Sequence, residues 1–474
     1  MGALGANRGW LRDEPVQVEE PVKARTDGDQ VTMFSYYVQL AIRSFRRRIV
    51  LTALMTLSIG LGIGATITTT GLLRQLSSDP VPENSSRLYI PTLDPRGYTP
   101  DTAAGARPTQ LTLIDASALW AANKSSRQVM MTGGRVVLST PDGTLRPLSA
   151  DARYTTSGFF SMFHTPFRFG GGWNADDDGS AARMAVISSE LNDRAFGGEN
   201  SVGRIIRIGD ADFRVVGVLG DWQVYPHFYD LSSGAYAGEE MIFVPFSTAR
   251  STKLRFQGNP ECWGNGIKAM AQADWLATLW GGRADCAWIQ YWVELRDAQQ
   301  RDAYQRLLTA YVDEQVRSGR FLRQEPAGLF GLMQWLDMQN VVPRAVRLQV
   351  AIALSFLLVC LVNTVSLMLT KFLATSQSVG VRRALGATAK AIFTQYLVEA
   401  AIIGIVGGIL GAAFSVAGLA LVRLQPLQYA AQIHVDVSLL VASMVLSVAA
   451  ATAAGLVPAW LICRVSPSRA LKTA

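Results

Sequence analysis

The chain has 474 residues, of which 49% are hydrophobic and 17% are charged, and its formal net charge is +7 at pH 7. Soluble domains ordinarily carry about a quarter of charged residues, so this composition argues against a soluble protein and predicts long apolar segments. The basic excess lies near those segments, without a basic helix or an aromatic stacking platform, so we expect no nucleic-acid partner.

The N-terminal region divides into two parts. Residues 1–32 are polar and acid-rich and have no apolar period, which predicts a disordered extension. Residues 33–48 place apolar side chains three and four positions apart beside arginines, a pattern typical of an amphipathic helix at a membrane interface. The alternative is a plain extension of the first span. The apolar positions are Phe34, Tyr37, Val38, Ala41, Ile42 and Phe45.

Four apolar runs are long enough to cross about 30 Å of hydrocarbon as helices. The predicted spans are residues 49–73, 348–371, 392–422 and 437–463. The segments between and after them are residues 74–343, 372–391, 423–436 and 464–474.

Basic residues in short segments are retained on the cytoplasmic side of a membrane. They cluster before the first span, between the second and third spans, and after the fourth. They are Arg43, Arg46, Arg47, Arg48, Lys371, Arg382, Arg383, Lys390, Arg464, Arg469 and Lys472. We therefore expect both termini and the loop at 372–391 in the cytoplasm, and residues 74–343 outside the membrane.

The segment at 74–343 mixes strand and helix signals. Residues 136–148 and 205–218 each predict a hairpin, because two apolar runs flank a short turn. Ser188 and Asp297 are predicted N-caps of helices. The predicted fold class is thus a membrane protein of four transmembrane α-helices, with a large α+β extracytoplasmic domain inserted between the first two.

Two of the four cysteines, Cys262 and Cys286, fall in this extracytoplasmic domain. An oxidising compartment favours a disulfide between them, and the alternative is two buried thiols. Cys360 and Cys463 lie in or at the end of spans and are interpreted as small apolar residues.

The sequence contains no recognisable catalytic or metal site. The three histidines, His164, His227 and His434, are far apart, which argues against a metal site. Residues 198–205 have the glycine spacing of a P-loop, but Arg204 and Ile205 replace its Lys and its Ser or Thr. We therefore expect no enzymatic activity and no cofactor in this chain.

Residues 378–388 read SVGVRRALGAT and are followed by an apolar helix. This segment resembles the signature of the FtsX-like permease family, which includes MacB-type exporters and lipoprotein-releasing permeases. Residues 458–459 and 464–471 resemble the ending of that family. Short motifs in the extracytoplasmic domain resemble, in order, the periplasmic domain of MacB-like permeases. They lie at residues 158–160, 169–172, 185–188, 196–198, 202–203, 213–218 and 243–245.

The resemblance implies that the loop between the second and third spans rests in a groove of a separate ABC ATPase, which binds ATP and Mg²⁺. The matching positions are Gly380, Arg382, Arg383, Ala384, Leu385, Gly386 and Ala387. The two glycines permit a tight turn and the two arginines can form charge-assisted hydrogen bonds to the partner. The alternative is that the arginines only anchor the topology and contact lipid phosphates. Ser378 stands where the family usually has an acidic residue, which suggests pairing with a different permease.

Two polar residues and a set of glycines stand out in the spans. Glu399 is expected near Arg382 or Arg383, in a structural or coupling role. Asn363 would need a partner on another helix and is interpreted as a packing residue. The glycines have the small-xxx-small spacing that lets helices approach, either among the first, third and fourth spans or at a dimer interface. They are Gly60, Gly64, Gly404, Gly407, Gly408 and Gly411.

The resemblance further implies a permease subunit of a MacB-type ABC exporter in the bacterial inner membrane. It would transmit ATP-driven motion to its periplasmic domain and move a peptide, an antibiotic-like compound or a lipoprotein. The implied partners are the ATPase, a second identical or homologous permease, a periplasmic adaptor, an outer-membrane duct and membrane lipid. The alternatives are a non-transporting regulator of a cell-wall enzyme and a peptide-sensing permease.

Overall fold

The structure is a computed structural model that describes residues 27–97, 107–425 and 436–463. By its contacts, the chain divides into two compact units. The membrane unit contains the described residues of 1–65, 355–415 and 437–474, and the extramembrane unit those of 66–354 and 416–436. The predictions for residues 1–26, most of the 423–436 loop and the 464–474 tail lie outside the described residues.

Helices α1 to α15 follow one another through the described chain. They are Asp27–Arg47, Ile49–Leu76, Leu113–Ala122, Gly158–Met162, Ala175–Ser180, Ser189–Phe196, Phe246–Ser251, Asn265–Met270, Trp275–Trp280, Ala298–Arg317, Leu332–Met338, Arg344–Leu373, Ser376–Ala384, Ala389–Arg423 and Val437–Cys463. Within the described residues, four of these helices, α2, α12, α14 and α15, are long and apolar enough to cross a membrane.

Several predicted boundaries need correction, among them the end of the first span, since α2 continues to Leu76, and the start of the second span, since α12 begins at Arg344. Helix α1 begins at Asp27, so residues 27–32, predicted to be disordered, are helical. The predicted loop at 372–391 is mostly helical, since α12 continues to Leu373, α14 begins at Ala389 and α13 lies between them.

Strands β1 to β12 all belong to the extramembrane unit. They are Leu88–Thr92, Leu111–Thr112, Arg127–Ser139, Leu148–Thr155, Phe167–Gly170, Met184–Ile187, Ile205–Ile208, Ala211–Leu219, Ile242–Pro245, Glu261–Cys262, Cys286–Glu294 and Gly328–Gly331. Both predicted hairpins are confirmed, because β3 pairs antiparallel with β4 and β7 pairs antiparallel with β8. Ser188 and Asp297 accept the backbone N–H bonds expected of N-caps.

The strands form one sheet in the order β12-β1-β11-β3-β4-β9-β6-β8-β5, with β7 bridging β3 and β8, and with β2 and β10 on β11. Every residue of β11 is buried. Tyr291 of this strand belongs to one hydrophobic cluster, and its neighbour Trp292, which points to the opposite face, belongs to a second one. The sheet therefore has apolar packing on both faces, and the mixed strands and helices confirm the predicted fold class.

Glycines bring the helices of the membrane unit close together. A Cβ atom added to Gly64 of α2 would lie 2.6 Å from the Cβ of Phe414 of α14. One added to Gly404 of α14 would lie 2.8 Å from the Cα of Val448 of α15. Gly60, Gly407, Gly408 and Gly411 likewise face neighbouring spans. These glycines thus pack helices of the same chain against one another.

A disulfide joins Cys262 of β10 to Cys286 of β11, across a sequence separation of 24 residues. The link closes a loop that contains α8 and α9.

Replacing both cysteines by serine should destabilise the extramembrane unit by about 3 kcal/mol, because the unfolded chain regains the freedom of that loop. We expect an unfolding midpoint about 10 °C lower, measured by near-ultraviolet circular dichroism of the full chain in detergent. Reductant should lower the midpoint of the native chain and leave the double variant unchanged. Equal midpoints for the two proteins would contradict this role of the disulfide.

Candidate functional site

The segment that matches the permease signature is a short helix followed by a tight turn. Helix α13 ends at Ala384, and Gly386 then has φ +100°, a conformation that favours glycine. Thr388 accepts a hydrogen bond from the backbone N–H of Ala391 at 3.2 Å and so caps the start of α14. Gly380 lies inside α13 and is buried, so the turn expected there is wrong, whereas Gly386 occupies the turn itself.

Helix α13 has a buried side and an exposed side. Val379 is 7% exposed, whereas Val381 is 48% and Leu385 is 83% exposed. The exposed guanidinium of Arg382 donates a hydrogen bond to Gln395 at 3.1 Å. An exposed leucine and valine beside a cation form a small mixed surface at the end of the membrane unit. We call Val381, Arg382 and Leu385 the α13 face.

The neighbouring Arg383 has a different environment. Its guanidinium donates to the backbone carbonyl of Cys463, the last residue of α15, at 3.2 Å. The thiol of Cys463 in turn contacts the carbonyl oxygen of Ala389, where α14 begins, at 3.4 Å. A cation at a helix C-terminus stabilises its unpaired carbonyls. Arg383 therefore joins α13 to α15, while Arg382 remains on the surface.

A buried ion pair lies close to this segment. Lys371 of α12 bonds Glu399 of α14, and each side chain is 2% exposed. Ser44 of α1 donates a hydrogen bond to Glu399 at 2.8 Å. The ammonium group of Lys371 also lies 4.6 Å from the ring centroid of Phe45. The pair thus holds α1, α12 and α14 together.

The predicted environment of two membrane residues is corrected by the structure. Glu399 was expected near Arg382 or Arg383, but it pairs with Lys371, because ten residues of α14 place it about 15 Å from the helix start at Ala389. Asn363 was expected to have a partner on another helix, but its side chain is exposed. It makes no side-chain hydrogen bond to any residue that the structure describes.

From the sequence, Lys371 was interpreted only as a marker of topology, so this pair was not predicted. The available signal was the presence of single opposite charges at the same end of two consecutive spans.

A second group of buried charges lies in the extramembrane unit, and no pattern in the neighbouring sequence indicated it. Arg153 bonds Asp230 at 2.6 Å and also bonds Glu240, although these partners are 77 and 87 residues away in sequence.

This second network is buried, and attraction between its opposite charges outweighs the effect of burial, which favours the neutral forms. Burial alone would lower the pKa of Arg153, but Glu240 and Asp230 outweigh that effect and raise it. Burial would raise the pKa of Glu240, but the attraction of Arg153 outweighs it and the pKa is lowered. The hydroxyl of Tyr229 donates to Glu240 at 2.8 Å. The network therefore stays ionised inside the domain.

The two histidines that the structure describes have different environments. His164 lies 3.1 Å from Glu83 on the surface, and His227 is buried, while His434 lies outside the described residues. In the part of the chain that the structure describes, no group of three or more His, Cys, Asp or Glu side chains is placed to hold a metal ion.

Two protein families match consecutive parts of this chain. The MacB-like periplasmic core domain family matches residues 52–311, and the FtsX-like permease C-terminal family matches residues 350–467. The first match alone covers more than half of the chain, and the second contains α13 and the buried pair.

Several known proteins are similar to the chain. The pyoverdine export ATP-binding/permease protein PvdT of Pseudomonas aeruginosa is 26% identical over 369 residues, which cover 77% of this chain and 48% of that protein. The macrolide export ATP-binding/permease protein MacB of Syntrophobacter fumaroxidans is 22% identical over 511 residues, which cover 99% of this chain and 68% of that protein. The chain thus spans about half the length of the first relative and about two thirds of the second.

The chain also matches solved structures over part of its length. The periplasmic region of MacB from Actinobacillus actinomycetemcomitans has 14% sequence identity and a TM-score of 0.34, and the match covers 55% of this chain and 96% of that one.

The buried pair leads to a double-mutant prediction. Lys371→Met or Glu399→Gln alone should destabilise the membrane unit by about 3–5 kcal/mol, because the remaining partner loses its buried counter-charge. The double variant should recover most of that loss. The measurement is the unfolding midpoint of the full chain in lipid nanodiscs.

Lys390→Met, at an exposed position near the start of α14, is the matched control and should leave the midpoint unchanged. If the effects of Lys371→Met and Glu399→Gln simply added in the double variant, the two side chains would not be coupled.

Proposed function

Because this chain belongs to the family defined by the MacB-like periplasmic core domain and carries the FtsX-like permease C-terminal domain, we propose that it is the permease subunit of a bacterial MacB-type ABC exporter. It works in the inner membrane with a separate ABC ATPase that binds ATP and Mg²⁺. The permease uses the motion of that ATPase to act on cargo at its periplasmic domain. It performs no catalysis itself.

The α13 face is the observation that carries this proposal. Leu385 is 83% exposed at the tip of a helix that is otherwise held to the membrane unit, and the exposed Arg382 beside it can exchange its hydrogen bond to Gln395 for one to a partner. A rigid, exposed apolar side chain next to a cation suits insertion into a groove whose rim carries acidic or carbonyl groups. Both relatives described above are named ATP-binding/permease proteins, which supports an ATPase as the occupant.

A coupling helix can transmit a push only when it is firmly attached to the spans. The bond from Arg383 to the end of α15 and the short link to α14 provide that attachment. The Lys371 and Glu399 pair then joins α14 to α12 and α1. Displacement of α13 by the ATPase would consequently move several helices together.

The outer ends of three spans belong to the core of the extramembrane unit. Leu72 and Leu76 of α2, Val346 of α12 and Leu419 of α14 are buried in its second hydrophobic cluster. Helix motion would therefore reach the periplasmic domain through packed side chains. This favours mechanotransmission, in which the periplasmic domain moves, with a peptide, an antibiotic-like compound or a lipoprotein as cargo.

The complete exporter would contain a second permease, identical or homologous, together with a periplasmic adaptor and an outer-membrane duct. The relatives named for pyoverdine and macrolide export support an exporting role for this chain. The exposed Asn363 of α12 offers a polar group to a second permease within the bilayer, where an amide gains from pairing across helices.

The α13 face predicts how ATPase binding can be lost without loss of the fold. In a pull-down from native membranes in mild detergent, the chain should recover a protein that hydrolyses ATP. Arg382→Glu combined with Leu385→Glu should reduce that recovery by about tenfold or more, because each change places a negative charge in the contact. The measurement is the ATPase activity of the eluate per amount of permease.

Arg344→Glu is the matched control, since it also reverses the charge of an exposed arginine. Arg344 lies at the first residue of α12, at the end of that helix far from α13. It should retain the partner. A permease that comes down alone, or one that keeps its ATPase despite both α13 substitutions, would contradict the proposed role.

A further inference from the structure

The extramembrane unit contains a cavity of about 280 Å³ at the end of β8. Aromatic rings form one of its walls. The ring of Trp222 lies nearly parallel to that of Tyr229, with centroids 5.8 Å apart and an interplanar angle of 14°. Phe243 adjoins Trp222 at a centroid distance of 6.4 Å. Aromatic faces carry partial negative charge and attract cations.

The charged groups on the cavity wall are all acidic. Glu190, Asp221, Glu239 and Glu240 line the cavity, and no lysine or arginine side chain does. Arg153 neutralises Glu240 from the protein interior, and Arg194 pairs with Glu190 at the rim.

The remaining two carboxylates, Asp221 and Glu239, have no basic partner among the described residues. The hydroxyl of Tyr225 donates a hydrogen bond to Glu239 at 2.9 Å. Burial raises the pKa of Glu239, and repulsion from Glu190, Asp221 and Glu240 raises it further. A cation placed in the cavity would relieve this repulsion.

A buried histidine provides an independent sign of a ligand. The side chain of His227 lines the cavity, and the residue is only 3% exposed. Its ring is stacked between Tyr225 at 5.1 Å and Tyr229 at 5.5 Å. Its ring nitrogens make no hydrogen bond to any described residue. Burial lowers the pKa of His227, so the ring is neutral and keeps one nitrogen free to accept a hydrogen bond.

Buried polar groups in folded proteins are ordinarily paired. Here a buried histidine without a hydrogen-bond partner among the described residues, two carboxylates without a basic partner and an aromatic wall all line the same cavity. The volume is close to the lower end of the range for small-molecule sites, about 300 Å³. The cavity therefore suits a compact ligand with one positive charge and an apolar body.

We propose that this cavity binds an organic ammonium ion. The positive charge lies toward Asp221 and Glu239, the apolar body lies against Trp222, and His227 accepts a hydrogen bond from a donor on the ligand. This site requires neither an ATPase nor transport, so it stands independently of the proposed exporter function.

The test is isothermal titration calorimetry with the full chain in lipid nanodiscs. The probes are choline and benzylamine, with the uncharged counterparts 3,3-dimethyl-1-butanol for choline and benzyl alcohol for benzylamine. We expect at least one ammonium compound to bind, with its uncharged counterpart about tenfold weaker or undetectable. Absence of binding by both ammonium compounds, or equal binding of a charged probe and its uncharged counterpart, would overturn the proposal.

Two variants locate the site. Glu239→Gln and Asp221→Asn should each weaken binding by about tenfold, because each removes a charge from the wall without changing its shape. Asp212→Asn, at an exposed aspartate of β8 that pairs with Arg207, is the matched control and should bind like the native chain. Only variants whose unfolding midpoint equals that of the native chain enter the comparison. Native affinity in both folded cavity variants would place the bound cation elsewhere and refute this site.

Discussion

Two opposite charges buried among apolar helices are tolerated only when they meet, because separating them leaves each without a counter-charge. Lys371 and Glu399 impose this condition on the membrane unit. To satisfy it, α12 and α14 must keep one relative position along their axes, and Ser44 extends the same requirement to α1. The glycine contacts between α2, α14 and α15 then let the remaining spans pack closely around that arrangement. The position of α13, which lies between α12 and α14 in sequence, follows from the alignment of its two neighbours.

The extramembrane unit is organised around strand β11. Its nine residues are buried, and the neighbours Tyr291 and Trp292, which point to opposite faces, lie in different clusters, so this strand separates two apolar cores. The disulfide at Cys286 and the pairing with β1, β2, β3 and β10 attach further segments to the same strand. Beside this core, Arg153 balances two carboxylates that burial would otherwise make costly.

Features that depend on local sequence could be predicted well. The spans follow from the length of apolar runs, and the two hairpins and the caps at Ser188 and Asp297 follow from neighbouring residues. Contacts between distant residues could not be predicted in this way. Nothing near Arg153 in the sequence indicates Glu240, and Arg382 and Arg383 look equivalent until the end of α15 is placed beside one of them. The start of α1 at Asp27 was missed because its first residues are polar and give no apolar period.

The cavity in the extramembrane unit differs in charge from the chain as a whole. The chain has 44 lysine and arginine residues against 37 aspartate and glutamate residues, yet no basic side chain lines the cavity. The charge of the wall therefore differs in sign from that of the whole chain. Arg153 is already engaged by Asp230 and Glu240, and Arg194 by Glu190. The negative potential of the cavity is consequently left for a ligand to neutralise, and the stacked Trp222 and Tyr229 make an organic ammonium ion a better match than a small hydrated metal ion.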